Sequence, residues 1–397
     1  MKREEAFMAN RYREEAAALK EEMVKWHRDL HQIPELGLDL PKTSAYIQDE
    51  LDKMGISYSV SKENSHITAL LGQGGKCVLL RADMDALPIN EESGLDFAST
   101  NGSMHACGHD MHATALLGAA KMLKAHESEL KGQVKLLFQS GEELFKGAET
   151  AMAEGVLENP HVDVAYASHV ASAAPVGVIG YGHYPMSAVY GFKIDVKGRG
   201  AHGSTPENGI SPINAAVHIY LALQELIARE VAASKEVVIT IGHFEAGAAN
   251  NVIPETAVME GTLRAFDPEI RAYMIKRIEE VATGIASTYR AEATVTALSD
   301  CPAMINDKEL HDEIVEMLKR ENEDLQILPI YHAMGSEDFA FFCDKVPSCY
   351  LGIGAQYGDG YPVYSEHNPK VRHNEDALVI AAAAYCMVAD EWLRRHA

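Results

Sequence analysis

The alternation of short apolar segments with helical segments is the feature that most constrains the fold of this chain. Between residues 77 and 167, runs typical of buried β-strands are separated by stretches with helical periodicity. Strands joined through a helix lie parallel in one sheet, because the crossover returns the chain to the same edge. The sequence therefore predicts an α/β domain with a mixed, largely parallel sheet, containing strand 77–81, helix 111–125, strand 134–139, helix 147–155 and strand 162–167.

The middle third of the chain has a different order of elements. Residues 190–299 are predicted as strand, helix, two strands, helix and strand, which is the order of a ferredoxin-like α+β unit. We therefore expect an inserted domain at residues 187–299, within a first domain formed by residues 1–186 and 300–397. Helices at 12–30, 43–54, 307–322 and 376–395 and a strand at 349–353 complete the first domain.

The net charge of the chain and the length of its apolar runs argue against nucleic acids and membranes as partners. The 397 residues carry 58 acidic and 35 basic side chains, a formal net charge of −23. This charge repels nucleic-acid phosphates and anionic lipids, so neither nucleic acid nor membrane is an expected partner. The charged first 22 residues do not resemble a signal peptide, and the longest apolar run, residues 377–389, is too short to span a bilayer. Six cysteines without a CxxC pair favour a reducing, cytoplasmic location.

Polar residues stand where the predicted strands end. In open α/β sheets, ligands bind in the crevice at the carboxyl ends of the strands. Thiolate, imidazole and carboxylate groups brought there by separate strands are suitable ligands for a transition metal. The sequence therefore predicts a metal site among Asp83 and Asp85, Cys107, His109 and Asp110, Glu142 and Glu143, Ser168 and His169, and His367 in a later loop.

The paired carboxylates admit two kinds of role. One of the adjacent residues Glu142 and Glu143 can ligate a metal while the other transfers protons. Asp83 and Asp85 either cap the strand end or orient a ligand imidazole from behind the site. Taken singly, each of these side chains also has an ordinary interpretation as surface or core. The coincidence of all of them at strand ends is what favours a metal site.

Nucleophilic catalysis is a weaker interpretation. Ser140 follows a strand, but the GxSxG frame of a nucleophilic serine is absent. Cys107 and His109 are two residues apart in one loop, a spacing that seldom lets a nucleophile face its base. The glycine-rich segment 72–75 lacks the Lys-Ser/Thr ending of a phosphate-binding loop and is predicted to be a turn.

Longer motifs, in order along nearly the whole chain, are similar to those of one enzyme family. They read HQIPELGLDLPKT, RADMDALPI, MHACGHDMH, KLLFQSGEE, SHV, KGRGAHGSTP, AGAANNVIPETAVMEGTLRAFD, MGSEDFAFF and EHNPKVRHNEDAL. They resemble the aminoacylase and carboxypeptidase superfamily of two-metal peptidases, and in particular the amidohydrolase branch with hippurate hydrolase and the indoleacetyl-amino acid hydrolases. The resemblance implies a zinc-peptidase-like catalytic domain with an inserted ferredoxin-like lid, which commonly mediates dimerisation.

The resemblance also implies roles for individual residues. It implies two divalent metal ions per chain (Zn, Mn, Co or Ni), with Cys107 as the bridging ligand and Glu142 as the general base. His202 matches the lid histidine that reaches the developing oxyanion, in cis or from a partner subunit. Asn251 and Arg264 match positions that hold the substrate carboxylate. The implied set comprises the metal ligands Cys107, His109, Glu143, His169 and His367, the catalytic residues Glu142 and His202, the substrate-binding residues Asn251, Arg264, Gly335 and Ser336, and Asp85 behind the ligands.

The sequence departs from the family pattern in a few places. Ser140-Gly141 replaces the usual Pro-Ala before the glutamate pair, and segment 38–40 reads Leu-Asp-Leu where an acidic pair is frequent. The stretch after His367 is poorer in aromatic residues, and it contains His373 as a rival ligand. None of these changes removes a residue that the chemistry needs.

The predicted function is hydrolysis of the amide bond of an N-acyl amino acid to a carboxylic acid and a free amino acid. A dipeptidase or carboxypeptidase uses the same catalytic residues and stays open, as does a ligand-binding protein without activity. A thiol redox protein built on Cys107 is disfavoured because no resolving cysteine is near it in sequence. The expected partners are a small-molecule substrate and a second copy of the chain, bound through the lid.

Overall fold

The described part of the chain, residues 11–322 and 324–397 of a computed structural model, forms two compact units. Unit 1 consists of the chain up to Pro185 together with Ile305–His332 and Glu337–Ala397, and unit 2 consists of Met186–Met304 and Ala333–Ser336. Within the described residues, no helix is long and apolar enough to cross a membrane. The domain boundaries predicted from the sequence, at residues 187 and 299, stay a prediction.

In the described part of unit 1, helical residues 11–18 precede two helices, and strands and further helices follow. Its elements up to residue 180 are α1 (Lys20–His31), α2 (Pro41–Lys53), β1 (Tyr58–Val60), β2 (Ile67–Gly72), β3 (Cys77–Asp83), α3 (His109–Ala125), β4 (Gln133–Gln139), α4 (Gly147–Ala153), β5 (Val164–Ala171) and β6 (Val178–Gly180). In α1, Met23, Trp26 and Leu30 recur at helical spacing and are buried. α2 begins at Pro41, whose missing N–H suits the first helical turn.

Unit 2 is an antiparallel sheet covered by two long helices. Its elements are β7 (Ala188–Lys197), β8 (Ala201–His202), α5 (Pro212–Glu230), β9 (Val237–Ala246), β10 (Val252–Ile253), β11 (Thr256–Ala265), α6 (Pro268–Thr288) and β12 (Glu292–Cys301). The sheet has the order β12-β7-β11-β9 with antiparallel neighbours throughout. The Ser211 and Asp267 side chains cap α5 and α6. The strand and helix order is the ferredoxin-like one that the sequence predicts, whereas the short β8–β10 ladder was not predicted.

The last third of the chain returns to unit 1. It contributes α7 (Lys308–Glu321), β13 (Gln326–Leu328), α8 (Ala340–Cys343), β14 (Ser348–Gly354) and α9 (Ala377–Arg395). Helix α9 is rich in alanine, and it packs on α3. At the same place Gly118 of α3 packs against Met23 and Ala382. A Cβ on Gly118 would lie only 2.6 Å from the sulfur of Met23, so there is no room for a side chain. Small side chains therefore let three helices approach closely on one face of the sheet.

The sheet of unit 1 has eight strands in the order β1-β2-β4-β3-β5-β14-β6-β13. The four central strands β4, β3, β5 and β14 run parallel, as do β6 and β13, whereas β1, β2 and the β14–β6 pair are antiparallel. Strand β3 is buried at all of its seven positions, as expected for the centre of a sheet covered on both faces. The predicted α/β class with a mixed, largely parallel sheet is confirmed.

Candidate metal centre

The carboxyl ends of the central parallel strands bring the predicted residues of unit 1 together. Strand β3 ends at Asp83, with Asp85 just beyond it, and β4 is followed by Glu142 and Glu143. His169 lies near the end of β5, between β3 and β14 in the sheet. Because adjacent parallel strands end at the same edge, these side chains converge on one crevice. The loop before α3 and the loop around His367 supply the remaining groups.

Two groups of possible metal ligands share the thiol of Cys107. Cys107 lies with His109 and His169 in one group and with Glu143 and His367 in the other, and the ligand atoms of each group lie within 4.8 Å of one another. The Sγ of Cys107 is 3.3 Å from Nε2 of His169 and 3.3 Å from Nε2 of His367. Nε2 of His367 is also 3.3 Å from Oε1 of Glu143. A thiolate common to both groups can bridge two cations.

A glycine makes the Cys107 loop possible. Gly108 has φ of +85°, a left-handed conformation that favours glycine. A Cβ at this position would lie 2.4 Å from Cγ2 of Val170 and 3.2 Å from Cε1 of His373. The sequence Cys-Gly-His therefore turns the chain sharply into α3, so that Cys107 and His109 both face the crevice. His373, the rival ligand in the sequence, packs against this loop, and its buried Nε2 has no hydrogen-bond partner.

The loop that carries His367 is held in an unusual backbone conformation. His367 has φ of +66°, which is uncommon for a residue with a side chain. Its backbone N–H donates to the carbonyl of Ala106, at 2.9 Å. This bond fixes the His367 loop to the Cys107 loop. Strained backbone of this kind occurs frequently at ligand sites, where the surrounding structure maintains it.

Buried polar atoms without a partner mark the same place. Both ring nitrogens of His109 and Oε1 of Glu143 are buried and make no hydrogen bond. Such groups are rare in folded proteins unless an ion or water satisfies them. Nδ1 of His169 donates to the carbonyl of Val170, at 2.5 Å, which leaves Nε2 as the lone-pair nitrogen facing Cys107. The donor set of sulfur, nitrogen and oxygen therefore fits divalent transition metals.

Asp85 organises the glutamate pair. Its two carboxylate oxygens accept hydrogen bonds from the backbone N–H groups of Glu142 and Glu143, each at 3.1 Å. Oδ1 of Asp85 also lies 3.4 Å from Nδ1 of His109. The turn itself relies on Gly141, which has φ of +77° and whose Cβ position is blocked by Leu38 at 2.4 Å. The Ser140-Gly141 departure from the family pattern thus supplies a residue that this backbone favours.

Glu142 lies beside the first ligand group in an environment that favours a bound proton. Its Oε2 is 3.8 Å from Nε2 of His109, and its Oε1 accepts a hydrogen bond from the backbone N–H of Asp338, at 3.3 Å. Burial, followed by the nearby carboxylates of Glu337 and Glu143, raises the pKa of Glu142 well above its usual value. A carboxyl group of this kind can accept and return a proton near neutral pH.

Two of the candidate ligand side chains, Cys107 and His109, have raised pKa values. Burial raises the pKa of the Cys107 thiol well above its usual value, and the carboxylates of Glu143 and Glu142 add to the shift. Burial acts to lower the pKa of His109, but the carboxylates of Asp83 and Asp85 outweigh it and raise the value to about 10. Because metals bind thiolate and neutral imidazole, a cation bound to these two residues would displace their protons.

A buried charge network behind the ligands was not predicted. Arg81, in β3, is only 2% exposed, and its guanidinium contacts the carboxylates of Asp83 at 2.6 Å, Glu337 at 2.9 Å and Asp338 at 2.7 Å. Gln139, at the end of β4, donates to Asp338, at 2.8 Å. The network therefore connects Asp83 with Asp338, whose backbone N–H donates a hydrogen bond to Glu142. A charged residue within the apolar run of β3, together with the Glu-Asp pair of MGSEDF, was the available signal.

His112 is a second unpredicted residue at the site. Its Nδ1 lies 2.6 Å from Oδ1 of Asp83, and its Nε2 accepts a hydrogen bond from the backbone N–H of Val170, at 2.9 Å. Because Nε2 accepts, the proton of this imidazole is on Nδ1 and is donated to Asp83. The ring packs against His169, with 4.5 Å between centroids. His112 therefore holds the end of β5 and fixes the position of the His169 ring.

The predicted catalytic residue His202 and the four predicted substrate-binding residues belong to unit 2 and form two local groups. His202 on β8 is exposed, pairs with Val252 in the β8–β10 ladder, and accepts at Nδ1 from Ser204, at 2.7 Å. The carbonyl of Asn251 accepts from the N–H of Gly203, at 2.7 Å, so Asn251 lies next to His202. In the second group, Nη1 of Arg264 donates to Oγ of Ser336, at 2.8 Å. Gly335 precedes Ser336, and its carbonyl accepts from the N–H of Ser187, at 2.8 Å.

Comparison with known proteins places the chain in a family. The profile of peptidase family M20/M25/M40 matches residues 79–391. The chain is 38% identical to the IAA-amino acid hydrolase ILR1-like 4 of Arabidopsis thaliana, over 94% of this chain and 86% of the relative. It is 35% identical to the N-acetyl-L-cysteine deacetylase of Bacillus subtilis, over 92% of this chain and 87% of the relative.

A solved structure supports the same assignment. The Bacillus subtilis YXEP protein, described as a dinuclear metal binding peptidase of the M20 family, matches with a TM-score of 0.81 at 32% identity, over 95% of this chain and 99% of that one. These matches confirm the resemblance stated from the motifs. The chain belongs to peptidase family M20/M25/M40 and is a hydrolase that acts on amide bonds.

Proposed function

We propose that this protein is a metal-dependent amidohydrolase that cleaves N-acyl amino acids to a carboxylic acid and a free amino acid. The observation that carries the proposal is the pair of ligand groups that share Cys107, with the proton-holding carboxyl of Glu142 beside them. The names of the plant hydrolase and the bacterial deacetylase support an N-acyl amino acid as substrate.

We assign two divalent cations to the five ligands. Cys107, His109 and His169 would hold one cation, and Cys107, Glu143 and His367 would hold the other, since the donor atoms of each group lie within 4.8 Å of one another. When bound, the two cations polarise the amide carbonyl and lower the pKa of water. The mixture of sulfur, nitrogen and oxygen donors suits zinc, and it also accepts manganese, cobalt or nickel. Asp85 acts behind this set by orienting His109 and fixing the glutamate turn.

Glu142 is the proposed general base and acid. One of its oxygens is held by the backbone N–H of Asp338, so the other is available to take a proton from the attacking water. The two cations, when bound, would favour the ionised form of Glu142 that takes this proton, whereas burial and the surrounding carboxylates favour the protonated form that follows. Returning the proton to the leaving nitrogen completes the cleavage and releases a free amine.

Unit 2 is the proposed source of the groups that recognise substrate. We assign Arg264 to the carboxylate of the amino acid, because a guanidinium matches a carboxylate with two parallel hydrogen bonds. Ser336 fixes one end of Arg264 and leaves the rest of its fork free for this contact. Asn251 and Gly335 are assigned to the same recognition. His202 is exposed on a short strand, and we assign it to the developing oxyanion, from the same subunit or from a partner.

A homodimer formed through unit 2 is part of the proposal. Strand β9 lies at the edge of its sheet with ten residues, and Val238 and Phe244 on it are exposed. On α5, Val217 is 42% exposed and Leu221 is 54% exposed, one helical turn apart. An open strand edge beside an apolar helix face is a surface that a second copy can cover. Cytoplasmic location remains a prediction from the cysteine pattern.

The first experiment combines metal analysis with substrate screening. The purified protein is assayed for amine release from N-acetyl, N-benzoyl and N-indoleacetyl amino acids and from dipeptides, with and without a chelator. About two metals per chain and chelator-sensitive release from N-acyl amino acids support the proposal. Preference for dipeptides favours the peptidase alternative, which the description of the YXEP structure keeps open. A protein that takes up no metal and releases no amine with any added cation would instead be a ligand-binding protein without activity.

A further inference from the structure

We propose a second divalent-cation site in unit 1, formed by His183, His311 and Asp312, for zinc or a similar transition metal. One donor atom from each residue lies within 4.8 Å of the other two. His183 is in the segment that follows β6, whereas His311 and Asp312 are in the first turns of α7. None of these residues belongs to the proposed amidohydrolase machinery.

The two cation sites lie at opposite ends of the strands of the eight-stranded sheet. Strand β6 is antiparallel to β14, so the chain that leaves β6 runs toward the amino end of β14. The side chain of Asn306 confirms this course, because it donates to the carbonyls of both Gly182 and Tyr350. The Cys107 centre is at the carboxyl ends of the parallel strands. The second site is therefore chemically and spatially independent of the first.

The spacing of the donors fits a tetrahedral cation. Oδ1 of Asp312 is 3.1 Å from Nδ1 of His311 and 3.7 Å from Nε2 of His183. Two donors bound to zinc at its usual bond lengths with tetrahedral geometry lie about 3.3 Å apart. The two imidazole rings are packed together, with 4.4 Å between centroids. Two imidazoles and one carboxylate leave a fourth position open to water.

The site combines a buried imidazole with two half-exposed side chains. His311 is 1% exposed, whereas the side chains of His183 and Asp312 are 42% and 47% exposed. Oδ2 of Asp312 accepts a hydrogen bond from Lys308, at 2.7 Å, and its Oδ1 is the oxygen near both imidazoles. Nδ1 of His311 makes a hydrogen bond with Oδ1 of Asp312, whereas its buried Nε2 has no hydrogen-bond partner. A cation bound to Nδ1 would replace this hydrogen bond, with both residues as ligands of the same ion.

A cation bound here ties α7 to the segment that leads out of unit 1. His183 is two residues before Pro185, the last residue of this part of the unit. Ligand binding to the native state alone stabilises that state by mass action. We therefore expect zinc beyond the amount held by the Cys107 centre to raise the melting temperature of the full-length protein.

The experiment titrates zinc into protein whose Cys107 centre has been filled, in competition with a chromogenic chelator. The wild type should bind one further zinc per chain. His183→Ala and Asp312→Asn, which change half-exposed side chains, should each bind it at least ten-fold more weakly and lose the zinc-dependent rise in melting temperature. His161→Ala is the matched control, because His161 is an exposed histidine of the same unit.

Activity separates this proposal from the proposed function. Both variants should keep the metal content of the Cys107 centre and the amidohydrolase rate of the wild type. A wild type that takes up no zinc beyond that centre, or variants that bind the further zinc as tightly as His161→Ala does, would overturn the second site. Failure of amide hydrolysis in every form would instead refute the proposed function and leave the zinc titration interpretable.

Discussion

The Sγ of Cys107 lies 3.3 Å from the Nε2 of His169. The same sulfur lies equally close to Nε2 of His367, in the second ligand group. One thiol therefore connects donors from three separate elements, the loop before α3, the end of β5 and the loop after β14. Removal of the thiol therefore affects both ligand groups, whereas removal of the imidazole of His169 or of His367 affects only one ligand group.

This difference gives the first prediction. We expect Cys107→Ala to lose most of both metals after equilibrium dialysis, whereas His367→Ala retains about one metal per chain. Elemental analysis of the dialysed proteins measures the effect, and Cys343→Ala is the control because Cys343 is another partly buried, free cysteine. Two metals retained in Cys107→Ala would show that the thiol does not bridge them.

The second prediction concerns the base. Glu142→Gln keeps the size of the side chain but cannot take a proton from water, so we expect kcat to fall at least roughly 100-fold with metal content unchanged. Glu143→Gln, the adjacent residue, should instead lose metal along with activity because Oε1 of Glu143 is one of the ligand atoms beside His367. Retained hydrolysis in Glu142→Gln, with metals present, would remove Glu142 from the proposed mechanism.

The convergence of the candidate ligands could largely be predicted, because residues that follow neighbouring parallel strands lie at the same end of the sheet. An apolar run followed by Asp83, or by Glu142 and Glu143, places a carboxylate at the crevice once the strands are known to be parallel. Periodicity was sufficient for the long helices and central strands. Family resemblance was needed for the role of each residue, and for every residue of unit 2.

The parts that could not be predicted depend on contacts between distant segments. Arg81 within an apolar strand contradicts the usual rule for buried strands, and its partners Glu337 and Asp338 are more than 250 residues later. Only the folded sheet shows that these charges neutralise one another. Strands β1, β6 and β13 have three residues each, which is too short for a period of two to be read from the sequence.

Arg264 provides the third prediction. Nη1 of Arg264 donates to Ser336, and we expect the rest of the fork to bind the substrate carboxylate. Lysine cannot form the same pair of bonds, so Arg264→Lys should raise KM roughly 10-fold or more with a smaller change in kcat, as the loss of one charged hydrogen bond predicts. The measurement compares an N-acyl amino acid with its amide, which has no carboxylate.

The amide substrate distinguishes a loss of carboxylate binding from a loss of the fold of unit 2. Wild type and Arg264→Lys should have similar KM values for the amide, because neither makes the carboxylate contact. Arg229→Lys, at an exposed position of α5, is the control and should behave as wild type. An equal loss of activity on both substrates would mean that Arg264 supports the fold of unit 2 and does not bind the carboxylate.

The last prediction concerns the contribution of Glu375 to the stability of unit 1 in acid. Its carboxylate accepts two hydrogen bonds from Arg28, each at 2.8 Å, and lies 3.0 Å from Nδ1 of His27. Burial alone raises the pKa of Glu375, but the bonds from Arg28 and His27 outweigh burial and lower it to about 2. A carboxyl group with a lowered folded-state pKa stabilises the fold above its unfolded pKa, and this contribution is lost as the pH falls toward 2.

We therefore expect Glu375→Gln to lower the free energy of unfolding by roughly 1–2 kcal/mol at pH 7, because a partly buried carboxylate loses its charge-assisted hydrogen bonds with Arg28 and His27. The difference from wild type should be constant above about pH 5 and should shrink steadily below about pH 4.5. Urea midpoints of unit 1, followed by the fluorescence of Trp26 and Trp392 at several pH values, measure it. Glu149→Gln is the control, since its partner Lys146 is exposed. A difference that stays the same from pH 7 to pH 3 would mean that Glu375 contributes by packing and not by its charge.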